Sequence, residues 1–288
     1  MKVTEVTAKS ILVKSKLPDS DYVVNPYTGC TFACAYCYAS FMGRFVGQPI
    51  EEWGNYLSVK TNAVELFKVD LRRLGFEQRL GTIFLSSVTD AWQGPEKKYR
   101  LARGVLEVLR DERYPGLISI LTKSPLILRD VDVIQDLLNV EVGITVTTTD
   151  DAIGRFMEMH APSASERLRT LAGLNDAGIN TYAFLGPLFP HYRYQANLLE
   201  QIFVELKAAG TTSIFAEHLN TSQYILQRIR PLLAGATSEV RAAYSDAKTS
   251  HHRQVLSAIV MELVAKYGFT IRFGRVLDHN RDKHLTNA

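Results

Sequence analysis

The sequence predicts an α/β protein of about six βα units, an open or partial (β/α)6 TIM-like barrel with a C-terminal helical extension. Three observations lead there. Short, mainly apolar runs alternate with longer segments whose apolar residues recur every three to four positions, as buried parallel strands alternate with amphipathic helices. Glycines stand where the helical segments stop. The length of 288 residues, with 46% hydrophobic content, suits one large domain better than two small ones, and no linker, low-complexity run or repeat interrupts it.

The first strand falls at 22–25, in Tyr-Val-Val-Asn. Further strands are predicted at 82–87, 117–122, 140–147, 181–185 and 212–216, and helices at 63–74, 97–109, 132–138, 165–177 and 195–209. Gly178 and Gly210 are placed to end the last two helices. A core domain is therefore expected over 1–220. Beyond Asn220 the pattern changes to helical segments at 224–234 and 252–267 and a brief strand-like 270–273, which predicts an extension over 221–288 packed on the barrel, closing its mouth or its open side.

No apolar stretch approaches the roughly 20 residues that span a bilayer, and Met1-Lys-Val-Thr-Glu lacks the apolar core of a secretory signal. A cytoplasmic protein with no membrane partner is expected, in keeping with reduced thiols. The net charge of +3 does not argue for nucleic acid. Its distribution is more informative, because ten Lys and Arg against five Asp and Glu follow Asn220. Arg228, Arg230, Arg241, Lys248, Arg253, Arg272, Arg275, Arg281 and Lys283 could meet phosphates, although a solvated helix face explains the same count.

All three cysteines fall in one window, Cys30-Thr-Phe-Ala-Cys34-Ala-Tyr-Cys37. Such a C-x3-C-x2-C run offers three thiolates and no fourth, which leaves one iron of a four-iron cluster open to a small molecule. Closed electron-transfer clusters take four cysteines, and structural zinc takes four protein ligands. The nearest histidine, His160, lies far along the chain, which disfavours a local zinc knuckle, and an odd cysteine count disfavours a disulfide framework.

Around this run, Asn25-Pro-Tyr-Thr-Gly-Cys30 and the flanking Tyr36 and Tyr38 resemble the radical S-adenosylmethionine (SAM) superfamily, and within it the spore photoproduct lyase-like group often labelled DNA repair photolyases. Four further stretches are similar to that group's landmarks: Ser87-Val-Thr-Asp90 with Pro95-Glu96, Leu121-Thr-Lys-Ser-Pro125 running to Arg129-Asp130, Thr145-Val-Thr-Thr-Thr-Asp150, and Glu158-Met-His-Ala-Pro162. They stand in the family's order, each at the C-terminal end of a predicted strand, where barrels of this type gather their chemistry.

The resemblance implies a 4Fe-4S cluster on Cys30, Cys34 and Cys37, with SAM chelating the open iron. Reductive cleavage of SAM then yields a 5′-deoxyadenosyl radical, which abstracts hydrogen from substrate; the electron comes from an external flavodoxin- or ferredoxin-like partner. The protein's tasks are binding, orientation and exclusion of water, and Gly29 suits the tight turn this needs.

By the same resemblance Tyr36 meets the adenine, Tyr38 takes part in hydrogen transfer, and Lys123 sits beside SAM, where it can pair with a carboxylate or donate to ribose hydroxyls. Tyr38 and Lys123 are thus the catalytic candidates. Tyr36, Asp90, Lys123, Thr145, Thr147 and Glu158 are the cofactor-binding candidates. Thr145 and Thr147 are expected to point the same way from one strand, with Asp90 and Glu158 at the mouth. Each has a plainer alternative: core or shielding aromatic, strand-forming threonine, surface ion pair. Arg167 and Glu96 are expected on solvated helix faces, and His160 as a loop histidine.

One departure stands out. Spore photoproduct lyases carry an additional cysteine after the second strand that returns hydrogen to the product radical; the corresponding stretch here, Ser86-Ser-Val-Thr-Asp90, has no thiol. Lyase activity itself is therefore in doubt. The expected function is radical chemistry on a nucleic-acid base or nucleotide-like substrate, with nucleic acid a candidate partner. The alternatives are the same chemistry on a peptide or small metabolite, or a non-catalytic cluster-bearing sensor. No oligomeric state is legible.

Overall fold

The computed structural model describes residues 1–278, so Arg281 and Lys283 lie outside the described residues. Two short strands, β1 (Lys2–Val6) and β2 (Leu12–Lys14), precede the first predicted strand, β3 (Tyr22–Val24). Next come β4 (Tyr27–Thr28), the cysteine loop, β5 (Tyr56–Lys60) and α1 (Ala63–Arg72). The βα alternation then runs through β6 (Ile83–Leu85), α2 (Glu96–Tyr99), α3 (Leu101–Asp111), β7 (Ile118–Thr122), α4 (Val131–Gln135) and β8 (Val140–Thr145). It continues with α5 (Asp151–Met157), α6 (Ala164–Asp176), β9 (Thr181–Leu188), α7 (Ala196–Ala208) and β10 (Ser213–His218). After it follow α8 (Gln223–Ile229), α9 (Ser238–Asp246), α10 (Ser250–Tyr267) and β11 (Thr270–Ile271).

The main sheet has eight strands in the order β11-β10-β9-β8-β7-β6-β3-β2, parallel throughout except for β2 against β3. It is the predicted parallel βα sheet, and it is not closed. Its central strands read as near-continuous apolar runs, such as Ile118-Ser-Ile-Leu-Thr122, because helices cover one face and the curved interior the other. The helices lie close where the sequence allows: a Cβ on Gly104 of α3 would come within 2.6 Å of Val64 on α1. Gly178 and Gly210 end α6 and α7 in the left-handed conformation, at φ +73° and +83°.

The open seam is bridged by a side chain. Arg272, just past edge strand β11, reaches Asp19 Oδ2 at 3.0 Å, beside edge strand β2, and Glu141 on β8 at 2.6 Å. Its guanidinium also lies over the Tyr182 ring, 4.6 Å from the centroid. No helix among the described residues is long and apolar enough to cross a membrane.

Two features of the fold that the sequence did not predict bear directly on the site. A second sheet, β1-β5-β4, holds both ends of the cysteine-loop segment, with β4 antiparallel and β1 parallel to β5. Dipeptide-length β4 carries too little periodicity to be recognised alone. The helix predicted at 97–109 is broken at Arg100, which adopts φ +51°. The break lets the Glu96 carboxylate turn back and accept from the backbone amides of Leu101, Ala102 and Arg103 at 2.9, 3.0 and 3.2 Å, capping α3. Glu96 also accepts from the Tyr27 hydroxyl and pairs with Arg129 at 3.2 Å. It is fully buried rather than on a solvated face, because one carboxylate satisfies donors from three separate segments.

Glu96→Ala leaves those buried donors unpaired and is expected to lower the unfolding free energy by about 3 kcal/mol, measured by urea denaturation. A loss below about 0.5 kcal/mol, the range of ordinary surface changes, would contradict this account.

Candidate active site

The cysteine loop starts directly from β4. Gly29 has φ +99°, and a Cβ there would lie 2.5 Å from the Tyr56 carbonyl, so glycine alone fits. The loop is then pinned from several directions. Thr89 Oγ1 and Gln93 Nε2 donate to Gly29 O at 2.5 and 3.4 Å, and Gln93 Oε1 accepts from Thr31 N at 2.8 Å. Ala35 N donates to Met157 O at 2.9 Å and His160 N to Phe32 O at 3.1 Å. His160 contributes its backbone here while its side chain is exposed.

At the C-terminal ends of the parallel strands this loop walls a cavity of about 270 Å³. Cys30, Cys34 and Cys37 all line it, and all three are free of disulfides. Burial pushes the Cys34 thiol up to about 12 and holds Cys30 and Cys37 above the ordinary thiol range. Thiols so placed become thiolates when they bind a cation. Among the described residues no group of three or more His, Cys, Asp or Glu side chains is placed to hold one metal ion. A cluster asks for a different arrangement, one thiolate per iron, and three thiols lining a common cavity on a tightly pinned loop, two of them buried and Cys37 half-buried, fit it.

Of the other predicted residues, Tyr36, Tyr38, Asp90, Lys123 and Thr145 also line this cavity. Lys123 follows β7, and among the described residues no carboxylate pairs with its ammonium group. Burial alone would lower its pKa, but the neighbouring Cys34 and Glu158 outweigh burial and leave it raised. A cation is thus available to an anionic group in the cavity. Asp90 is buried and fixed rather than free at the mouth: its carboxylate accepts from Thr122 Oγ1 at 2.7 Å, Lys123 N at 2.8 Å and Trp92 N at 2.9 Å. It therefore sets the path of the backbone that carries Lys123. The Tyr38 hydroxyl donates to Ser87 O, which turns its ring along the wall.

Thr147 and Glu158 do not line the cavity. β8 ends at Thr145, so the alternation that would aim both threonines inward is not continued, and Thr147 Oγ1 donates to Glu158 Oε1 at 3.2 Å. Glu158 lies one layer behind the wall, 1% exposed, accepting from the Tyr36 hydroxyl and ion-paired with Arg167. Arg167 is 2% exposed, not on a solvated helix face, and also donates to Pro162 O at 2.9 Å. A buried carboxylate needs a buried cation, and helix periodicity does not reveal which face carries one. With its hydroxyl engaged, Tyr36 offers the cavity its ring and backbone.

Several lining residues were not singled out from sequence. Tyr182, Phe184 and Gly186 project from β9 at alternate positions, Phe215 from β10, and Glu217 and His218 stand at the end of β10. The period-two aromatic spacing on β9 was the available signal. The basic C-terminal residues divide. Arg228 donates to Cys34 O and Cys37 O, Arg253 pairs with Asp278, and Arg272 bridges the seam, so these three serve the fold rather than a phosphate. Arg230, Arg241, Lys248 and Arg275 are exposed.

Burial alone would raise the Glu158 carboxyl, but Arg167, Lys123 and the Tyr36 hydroxyl hold it below the usual range. Its stabilising contribution is therefore complete above the unfolded-state value of about 4.3 and is lost as pH falls through the lower folded-state value. In Arg167→Gln burial dominates and the sign reverses, so the carboxyl is costly at neutral pH. The variant is expected to lose about 3 kcal/mol at pH 7, and the deficit is expected to narrow as pH falls towards 4. Denaturation at several pH values measures it; a deficit independent of pH would contradict the ion-pair account.

Comparison with known proteins gives this geometry a family. The family description for the radical SAM superfamily matches residues 24–198. An uncharacterized protein of Methanocaldococcus jannaschii is 35% identical over 190 residues, 66% of this chain and 69% of that protein. An uncharacterized protein of Mycobacterium tuberculosis is 29% identical over 281 residues, 91% of this chain and 80% of that protein. Among solved structures, a spore photoproduct lyase complexed with dinucleoside spore photoproduct shares the fold, with a TM-score of 0.69 at 12% identity, covering 96% of this chain and 82% of that one. The chain belongs to the radical SAM superfamily and is a radical SAM enzyme, dependent on S-adenosylmethionine and an iron–sulfur cluster.

Proposed function

We propose that Cys30, Cys34 and Cys37 hold a 4Fe-4S cluster on which the protein reductively cleaves SAM, and that the radical formed acts on a nucleobase or nucleotide-like substrate. The observation that carries the reading is the convergence of three thiols, the Lys123 ammonium group and the Tyr36 ring on one cavity at the strand ends. When bound, the cluster would pass one electron to the sulfonium of SAM, releasing methionine and a 5′-deoxyadenosyl radical.

The chain's own residues do the rest. Lys123 would pair with the methionyl carboxylate, the Tyr36 ring would pack on the adenine, and Thr145 would supply a polar contact. The wall formed by Phe84, Tyr182, Phe184 and Phe215 keeps water from the reacting atoms. Asp90 and the Glu158–Arg167 pair hold Lys123 and Tyr36 in place from behind. Tyr38, beside the last cysteine, is the residue proposed for hydrogen transfer. No cysteine other than the three proposed cluster ligands exists in the chain, so return of hydrogen from a thiol is not part of the reading.

Two considerations support a base-like substrate. The deep wall is aromatic and suits a planar ring, and the spore photoproduct lyase with this fold is complexed with a dinucleoside. The cavity lining carries Asp19, Asp90 and Glu217 against Lys123, which favours a base inserted with its phosphates left outside. Arg230, Arg241 and Lys248 are exposed cations that could meet them. The electron donor would be a flavodoxin- or ferredoxin-like protein.

Anaerobic reconstitution with iron and sulfide, reduction with dithionite and addition of SAM are expected to give 5′-deoxyadenosine, read by chromatography. Cys34→Ala is expected to abolish both the cluster and the product; product formation by that variant would overturn the assignment. Binding to single-stranded DNA or RNA is expected to weaken steeply with added salt. No binding at low salt would redirect the search to a peptide or small metabolite.

A further inference from the structure

α8 lies beyond residue 220, yet it reaches back to the thiol loop. The Arg228 guanidinium, half-buried, donates through Nη2 to Cys34 O at 3.1 Å and through Nη1 to Cys37 O at 3.4 Å. One helical turn earlier, the Tyr224 hydroxyl donates to Tyr38 O at 3.1 Å. Among the described residues no carboxylate forms an ion pair with Arg228, although the charge of Glu51 reaches it more weakly than the thiols of Cys37 and Cys34 do. A cation withdrawn from water and met by neutral carbonyls is costly unless an anion shares its surroundings. The planar fork, moreover, fixes two acceptors at once, which an ammonium group does not. The loop it grips carries three thiols; three thiolates on an iron–sulfur core leave a net negative charge that grows by one unit on reduction.

We propose that Arg228 is a positioning residue for the cluster: its fork fixes the Cys34 and Cys37 carbonyls, and with them the sulfurs, while its charge favours the reduced state of the cluster they hold. The inference rests on the assignment of the cluster to Cys30, Cys34 and Cys37. The electron concerned is the single one delivered by a low-potential donor such as dithionite or a flavodoxin-like protein. Tyr224 adds a tether without charge, so the mechanical and electrostatic parts of the role are separable by substitution.

The test compares the full-length wild type with Arg228→Gln, Arg228→Lys and Tyr224→Phe, each reconstituted anaerobically. Iron content, the midpoint potential by spectroscopic titration and the rate of iron loss to a chelator are measured. In Arg228→Gln the ratio of reduced to oxidised cluster at fixed potential is expected to fall about tenfold, equivalent to about 59 mV for a one-electron couple, and iron loss to quicken. Arg228→Lys keeps the charge and loses the fork, so its potential stays near wild type while iron loss quickens. Tyr224→Phe is expected to behave likewise, and these two variants carry the test should Arg228→Gln fail to fold. Wild-type potential or wild-type iron loss in Arg228→Gln, or unchanged iron loss in both Arg228→Lys and Tyr224→Phe, would overturn the proposal. Failure of the wild type to take up a cluster would instead overturn the assignment on which it rests.

Discussion

The cysteine loop has very little backbone pairing of its own. Within 30–37 the internal bonds are Ala33 to Cys30 at 3.5 Å and Cys37 to Cys34 at 3.2 Å, too few to fix three sulfurs relative to one another. Order in such a segment must come from outside, because each loop residue held in one conformation costs on the order of 1–2 kcal/mol of entropy. The structure supplies that order through hydrogen bonds with Thr89 and Gln93 after β6, with the Met157 carbonyl at the end of α5, with Tyr224 and Arg228 on α8, and through β4 pairing with β5. The rest of the molecule can be understood as the scaffold that brings these distant donors and acceptors to one place.

Behind the cavity wall runs a second layer of buried charge. Glu96 with Arg129 and Tyr27, and Glu158 with Arg167, Tyr36 and Thr147, each join a residue of the strand-end loops to a helix. Buried ion pairs of this kind add little net stability over an apolar replacement, yet removing one partner is costly. Their value here is geometric. Tyr36 and Tyr27 belong to the segment that carries the thiols, and the carboxylates to which they bond are anchored to helix starts. The site is thereby referenced to the outer layer of the barrel, which a flat apolar contact between wall and helix would not do.

The polar balance of the cavity follows from the same arrangement. Arg167, Arg228 and Arg272 are held outside the lining by carboxylates and carbonyls, and among the described residues Lys123 is the one Lys or Arg in the lining. The rest of the lining is mainly apolar, aliphatic as well as aromatic, with the three thiols, a few hydroxyls and the acidic Asp19, Asp90 and Glu217. Such a surface discriminates by shape and hydrogen bonding more than by attraction of anions.

Much of this was legible in the residues themselves. The period of apolar residues marked the strands of the parallel sheet and the helices between them, since each must bury a face whatever its neighbours are, and the spacing of three cysteines without a fourth marked the site. Local chemistry sufficed there because the signal lies within a few consecutive positions. What only the tertiary structure decided were the partners of charged side chains. Arg167 and Glu96 read as solvated residues on helices, and Arg228 as part of a basic tail; each is instead turned inward by a group far away in sequence. Thr147 and Glu158 were placed in the cavity by position along the chain, yet the end of β8 at Thr145 turns them towards each other behind its wall. A charge buried on a helix looks the same in sequence as one in water, because its environment is set by contacts that no local pattern encodes.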